Sequence, residues 1–152
     1  SLLEASLFYK IGRSDVPFAI LHKPGVFTQE DLNSMKKHPQ LGYKALTRLI
    51  DSGLDLDKLA PRIALELEER YDGSGYPNKM YGSYDIDLDR GIHPYSTIVS
   101  LSYIFSSLIM KRYHQGKLVK AMSYDQAVDE VQSMKDKFDP EIHKLFVEKL
   151  KG

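Results

Sequence analysis

Tyr71-Asp72-Gly73-Ser74-Gly75-Tyr76-Pro77 is where the reading of this chain turns. Two glycines, a serine and a proline end a helical pattern abruptly and force a tight, shaped loop. Glycine admits positive φ, Pro77 fixes its own φ, and Asp72 and Ser74 have side chains short enough to turn back onto local N–H groups. On these residues alone, the stretch is either a well-built turn between helices or a stiff platform that holds Tyr76 out as a recognition element. Upstream, Leu59, Ile63 and Leu67 recur at helical spacing and predict an amphipathic helix over about 57–70 that delivers the loop. Downstream, 83–94 is polar and irregular, and 95–113 is apolar nearly all round, as a central buried helix should be.

Outward from this pair the chain reads as a run of helices, broken near Gly12 by a loop with Pro17 and a Lys23-Pro24-Gly25 turn. The opening residues to Tyr9 or Lys10 have helical apolar spacing with no start signal, so we expect more protein upstream and a chain that is one module, 1–152, of a longer product. Thr28 with Asp31 is a near match to a capping box ahead of Leu32 and Met35. Pro39 suits the first turn of the next helix, whose buried side should be Leu41, Ala45, Leu46, Leu49 and Ile50, with Gly53 ending it. Ser123 and Gln126 make a capping box before Val128, Val131 and Met134. Asp139-Pro140 opens the last helix, with Ile142, Leu145, Phe146 and Leu150 inward. No segment shows sustained strand alternation. The expected fold is an all-α bundle of six to seven helices.

Composition narrows the function classes. Lys and Arg total 21 and so do Asp and Glu, giving a net charge of zero. That balance argues against a general nucleic-acid or membrane-surface binder, both of which rely on excess positive charge. There is no cysteine, so neither disulfides nor thiolate metal sites exist, and a reducing cytoplasm fits. The apolar run 98–110 is too short to cross a bilayer and is broken by serines. His22, His93, His114 and His143 are scattered, with no pair at the spacing a helical metal site wants. Surface or incidental roles are expected for them. Glu66, Glu68, Glu69 and Arg70 fit a solvated helix face, with Glu69 the exception to watch. The serines of the central helix suit close packing, with hydroxyls bonded to the preceding turn.

The order Tyr9-Lys10-Ile11-Gly12-Arg13, Ile20-Leu21-His22-Lys23-Pro24-Gly25, Met35-Lys36-Lys37-His38-Pro39 and Glu69-Arg70-Tyr71-Asp72-Gly73-Ser74-Gly75-Tyr76-Pro77 resembles the HD-GYP family. These are bacterial metal-dependent phosphohydrolases of the HD superfamily that open and hydrolyse cyclic di-GMP. The resemblance runs from Leu7 to about Phe146. It implies an HD-type helical bundle, a bacterial cytoplasmic setting and a site of two or three iron or manganese ions held by imidazoles and carboxylates, with a bridging hydroxide that attacks phosphorus.

Carried across residue by residue, the resemblance also implies that this site is degenerate. The adjacent His-Asp pair that names the superfamily falls at Tyr9-Lys10, and the His-His pair before Glu69 falls at Leu67-Glu68. The central-helix Asp falls at Tyr103, with Ser106 at a second acidic position. His38 keeps its place, although by itself it reads as well as a helix cap or packed core histidine. Arg13 replaces a lysine and keeps its charge. One imidazole does not hold divalent ions against water, and an ammonium repels them. The expectations are therefore no metal cofactor, an ion pair of Lys10 with Glu68 or Glu69, and Tyr9 and Tyr103 filling the vacated space.

Three functions follow from the resemblance. The first is a non-catalytic signalling module that docks to GGDEF-domain proteins through Gly73, Gly75, Tyr76 and Pro77. The second is a cyclic di-GMP receptor that binds without cleaving, using Arg13, Arg112 and Tyr76, with Lys23 and Lys111 as further phosphate donors. The third is an enzyme with a rebuilt or upstream-completed site, in which Arg13, His38 and Glu69 are the remnants.

Overall fold

The computed structural model describes residues 2–114 and 117–152. The order is α1 (Leu2–Ser6), a 3-10 turn Ile11–Asp15, α2 (Phe18–Leu21), α3 (Gln29–Met35), α4 (His38–Asp51), α5 (Leu59–Glu66) and α6 (Pro94–Ile109). A hairpin of β1 (Arg112–His114) and β2 (Lys117–Val119) follows, then α7 (Tyr124–Ser133), a 3-10 turn Lys135–Lys137 and α8 (Pro140–Leu150). The all-α expectation holds. The two three-residue strands pair antiparallel, Tyr113 opposite Leu118, and form a small hairpin on a helical body.

Start signals in the sequence act as written. Thr28 accepts from the Asp31 amide while Asp31 accepts from the Thr28 amide, and Ser123 with Gln126 closes the same reciprocal box. Pro39 and Pro140 lie in first turns, where their missing N–H is not needed, and Asp139 accepts from the amides of Glu141 and Ile142. Buried positions in α4 are His38, Pro39, Gly42 and Leu46, a stripe at four-residue spacing that faces α5.

Two apolar clusters share α6. Ala5, Leu46, Ala60, Ile63, Ala64, Leu67 and Val99 form the first, with Phe8, Tyr9, Ile11 and Tyr103 packed against it. Leu101, Leu108, Ala127, Val131, Phe138 and Val147 form the second. Ser100 of α6 donates to the Leu67 carbonyl at 2.8 Å, while Ser102, Ser106 and Ser107 bond to the preceding turn of their own helix. Small hydroxyls let α6 pass close to α5 with these four donors satisfied, while the buried Ser96 hydroxyl has no partner.

Several expectations need correction. The helix over 95–113 ends at Ile109, so Lys111 follows the helix and Arg112 opens β1 instead of closing a helix. The helix over 57–70 ends at Glu66, because the backbone leaves it to build the glycine loop. Leu49 and Leu145 are exposed, and His143 and Val147 take the inward places on α8. His143 is thus a packed core residue, its Nε2 lying 2.8 Å from the Val131 carbonyl. Glu66 and Glu69 are 3% and 2% exposed, so the acidic run is not a solvated face.

Candidate functional site

The glycine loop is held from beneath by a buried carboxylate. Glu69 accepts from the Asn78 amide at 2.6 Å and from the Met80 amide at 2.9 Å, one on each oxygen. Tyr76 N–H donates to the Glu68 carbonyl at 3.1 Å, and the Tyr76–Pro77 peptide is cis. A Cβ at Gly75 would lie 2.4 Å from Arg70 N and 2.5 Å from Glu68 O, so the chain crosses itself where only glycine fits. Asp72 accepts from the Ser74 amide and hydroxyl, as its spacing predicts. Lys137 also donates to Asp72 at 2.7 Å, tying the loop to the turn before α8. Lys137 is the largest cause holding the Asp72 carboxyl well below the usual carboxylate range.

A second close crossing aligns the rest of the site. A Cβ at Gly12 would sit 2.0 Å from the His38 carbonyl oxygen and 2.3 Å from Gly42 N. The 3-10 turn that carries Lys10 and Arg13 on its flank therefore abuts the first turn of α4, where His38 sits.

Lys10, His38, Glu68, Arg70, Tyr76 and Tyr103 converge here. Lys10 Nζ lies 3.7 Å from Glu68 Oε1 and 3.5 Å from the centroid of the Tyr103 ring, and Tyr9 packs against Tyr103 at 5.6 Å. His38 Nε2 is 3.6 Å from the same Glu68 oxygen, and Arg70 Nη2 is 3.6 Å from the other. Of the two ion pairs open to Lys10, the one with Glu68 forms, since Glu69 is committed to the loop amides. Burial is the main reason the Lys10 amine is pushed down to about 8, with the Glu68 carboxylate pulling partly the other way. Burial also lowers His38 and raises the Tyr9 phenol.

His38 Nδ1 lies 2.8 Å from the Met35 carbonyl, which fixes the neutral ring with its proton on that nitrogen. Nε2 then carries a lone pair, is buried and has no hydrogen-bond partner. Tyr76 is half-buried and meets the His38 ring edge-on at 6.3 Å, so the loop turns this aromatic inward instead of holding it out. Burial raises its phenol above the usual value. Lys36 Nζ covers the outer side of the Tyr76 ring at 5.6 Å.

Not every expected residue gathers here. Leu67 is 1% exposed and belongs to the first apolar cluster, and Ser106 faces solvent on α6. Lys23 pairs with Asp31 on the cap of α3. Lys111 is exposed beyond α6, and the side chain of Arg112 lies outside the described residues. Sequence reasoning missed Arg70 and Lys36. In the sequence the first reads as part of a solvated helix face and the second has no assigned role, and only the backbone crossings bring them to Tyr76.

A match to the HD domain family covers residues 1–142, and the chain belongs to that family, in its HD-GYP group. It is 31% identical over 137 residues to the cyclic di-GMP phosphodiesterase response regulator RpfG of Xanthomonas campestris, covering 90% of this chain and 32% of that protein. It is 30% identical over 144 residues to a cyclic di-GMP phosphodiesterase of Thermotoga maritima, covering 94% and 35%. A 3'3'-cGAMP-specific phosphodiesterase of Vibrio cholerae is 30% identical over 145 residues, covering 95% and 25%. The chain thus spans about a third or less of the length of these relatives. No described helix is long and apolar enough to cross a membrane.

The family's iron or manganese pair finds a poor fit in this donor set. Among the described residues no three His, Cys, Asp or Glu side chains converge on one point. His38 Nε2 is an open ligand, but Glu68 is caged by cations, both Glu69 oxygens are bonded to amides, and the Lys10 ammonium occupies the centre. A cation placed between His38 Nε2 and Glu68 Oε1, 3.6 Å apart, would be repelled by the Lys10 ammonium 3.7 Å from the same oxygen.

Proposed function

We propose that this chain is an HD-GYP domain whose metal centre has been replaced by an ion-pair and aromatic cluster, and that it serves a cyclic di-GMP pathway without hydrolysing the nucleotide. The observation that carries this reading is the Lys10 ammonium, set against Glu68 and over Tyr103 where the family resemblance puts metal ligands. Without a metal-bound hydroxide the site has no nucleophile for phosphorus. Elemental analysis of protein purified without chelator, paired with a cyclic di-GMP cleavage assay, tests it. No stoichiometric iron, manganese or zinc and no cleavage is the expected result. Two ions per chain together with turnover would overturn it.

Within that role, binding of a cyclic dinucleotide has more support than docking to a GGDEF-domain protein through Tyr76 and Pro77. Tyr76 faces His38 and is flanked by Lys36, which suits a phosphate-bearing ligand stacked or bonded at the site better than a protein surface reaching for an exposed ring. Calorimetry with cyclic di-GMP separates the two, since a pure docking module gives no heat.

A further inference from the structure

We infer that Glu68 is a displaceable internal carboxylate seated in a phosphate-binding site, and that an incoming phosphate group competes with it for Lys10, Arg13 and Arg70. This rests on the reading of the site as metal-free.

The geometry around Glu68 is that of a loosely held anion, whose ion pairs form without closing to hydrogen-bond distance. Its three neighbours stand at 3.6 to 3.7 Å, all beyond the roughly 2.7–2.9 Å of a charge-assisted hydrogen bond. The same chain closes such bonds elsewhere: Lys137 reaches Asp72 and Arg62 reaches Glu66 at 2.7 Å each. Lys10 thus keeps donor capacity that one carboxylate does not fill, while Arg70 turns only Nη2 toward Glu68 and spends Nη1 on the Leu67 and Glu69 carbonyls. Arg13, exposed on the turn that abuts His38, adds a third cation, and Lys36 a fourth over Tyr76. Against them stands only Glu68, because Glu69 is spent on the loop amides. A cluster of cations gathered around a single loosely held carboxylate recruits oxyanions.

His38 adds an independent sign. Its buried Nε2 lone pair has no donor and faces a carboxylate oxygen at 3.6 Å, two acceptors confronting each other. A buried acceptor without a partner is costly unless something donates to it. A P–OH group supplies that donor while the remaining phosphate oxygens take the cations. A terminal phosphate has such a group and a phosphodiester does not, so the two sources of this chemistry separate on affinity.

The test is calorimetry on the intact chain in EDTA, titrating inorganic phosphate and, separately, cyclic di-GMP. Removing the internal competitor by Glu68→Gln should tighten binding about tenfold, and Lys10→Met should weaken it about tenfold. Lys149→Ala, on the last turn of α8, should leave it unchanged. Tighter binding of phosphate marks a terminal phosphate as the ligand, and tighter binding of the dinucleotide marks a diester. Weaker binding by Glu68→Gln, or silence of both probes against wild type and Glu68→Gln, overturns the proposal. Should Lys10→Met lose its helical circular dichroism, the sign of the Glu68→Gln effect decides alone. If metal and turnover are found, the reading beneath fails; if neither is found and no anion binds, only this inference fails.

Discussion

Lys10→Met should stabilise the protein at neutral pH, an unusual outcome for removing a charge from an ion pair. The Lys10 amine falls from an ordinary 10.5 to about 8 in the fold, so burial, with Arg13 and Arg70 adding to it, disfavours its charged form even against the pull of Glu68. Two and a half pH units correspond to roughly 3 kcal/mol of penalty while the amine is protonated in both states. Methionine matches the stem in volume and lies comfortably over Tyr103. It also deprives Glu68 of one of three cationic or polar neighbours, a loss that takes back part of the gain. The net expectation is about 1–2 kcal/mol of added stability, or about 3–6 °C in Tm for a chain of this size. The pH dependence carries the sharper signature. Between pH 8 and 10.5 the unfolded chain binds a proton that the folded chain has released, so wild-type stability from this group rises across that window. The advantage of Lys10→Met should therefore be full at pH 7 and nearly gone at pH 10.5. Thermal melts of both proteins at those two pH values measure it. An advantage of equal size at both, or a destabilisation above about 2 kcal/mol at pH 7, would refute burial of the ammonium as the dominant cost.

The loop gives three further predictions. Gly75→Ala places a methyl 2.4 Å from backbone that has no freedom to withdraw, and urea unfolding should show a loss of about 3 kcal/mol or more. Glu69→Gln replaces a carboxylate that accepts two amides by a group with only one oxygen. It should cost roughly 2 kcal/mol, with hydrogen exchange at Asn78 and Met80 accelerating more than elsewhere. The Asp72 carboxyl is held below its usual range by Lys137, so its contribution is present above about pH 4, the ordinary range of a free carboxyl, and fades as the solution becomes more acid. Lys137→Met should flatten the acid limb of the stability curve without changing its alkaline side.

What the sequence made legible follows from the range of the forces involved. Capping boxes at Thr28 and Ser123, the proline-led starts of α4 and α8 and the turn chemistry of Asp72 with Ser74 depend on neighbours within four residues, and each forms as its spacing predicts. The choice of inward face on α8 was not legible, because Leu145 and His143 compete for it and only the position of the Val131 carbonyl gives the imidazole a partner. Glu66 and Glu69 misled for the same reason. An acidic run on a helix normally faces water, yet here Glu66 accepts from the distant His93 amide besides its i,i+4 partner Arg62, and Glu69 accepts from the Asn78 and Met80 amides beyond the helix. The pairing of Lys10 with Glu68 was legible because the family resemblance put both residues at one place. The closeness of Arg70 and Lys36 to Tyr76 was not, since it depends on the chain crossings at Gly12 and Gly75.

Those crossings also explain how a site of this kind keeps its shape. In a metalloenzyme the ions themselves draw ligands from several helices together, and binding energy becomes folding energy. In this chain the elements around the site are also joined by contacts that need no ion. The crossing at Gly12 presses the Lys10 turn onto α4, the Glu69 carboxylate anchors the loop through two amides, and Tyr9, Leu67 and Tyr103 supply apolar surface to the first cluster. The shape of the cleft is therefore carried by backbone contact and core packing, while the charges within it remain loosely bonded. That division leaves Lys10 and Glu68 free to rearrange around a ligand at little cost to the fold, since neither side chain closes a short bond, whereas Arg70 is tied to the fold through the Leu67 and Glu69 carbonyls. It also predicts a dissociation of effects: Gly75→Ala and Glu69→Gln should lower stability and ligand affinity together, whereas Glu68→Gln should shift affinity with a Tm change of no more than about 3 °C.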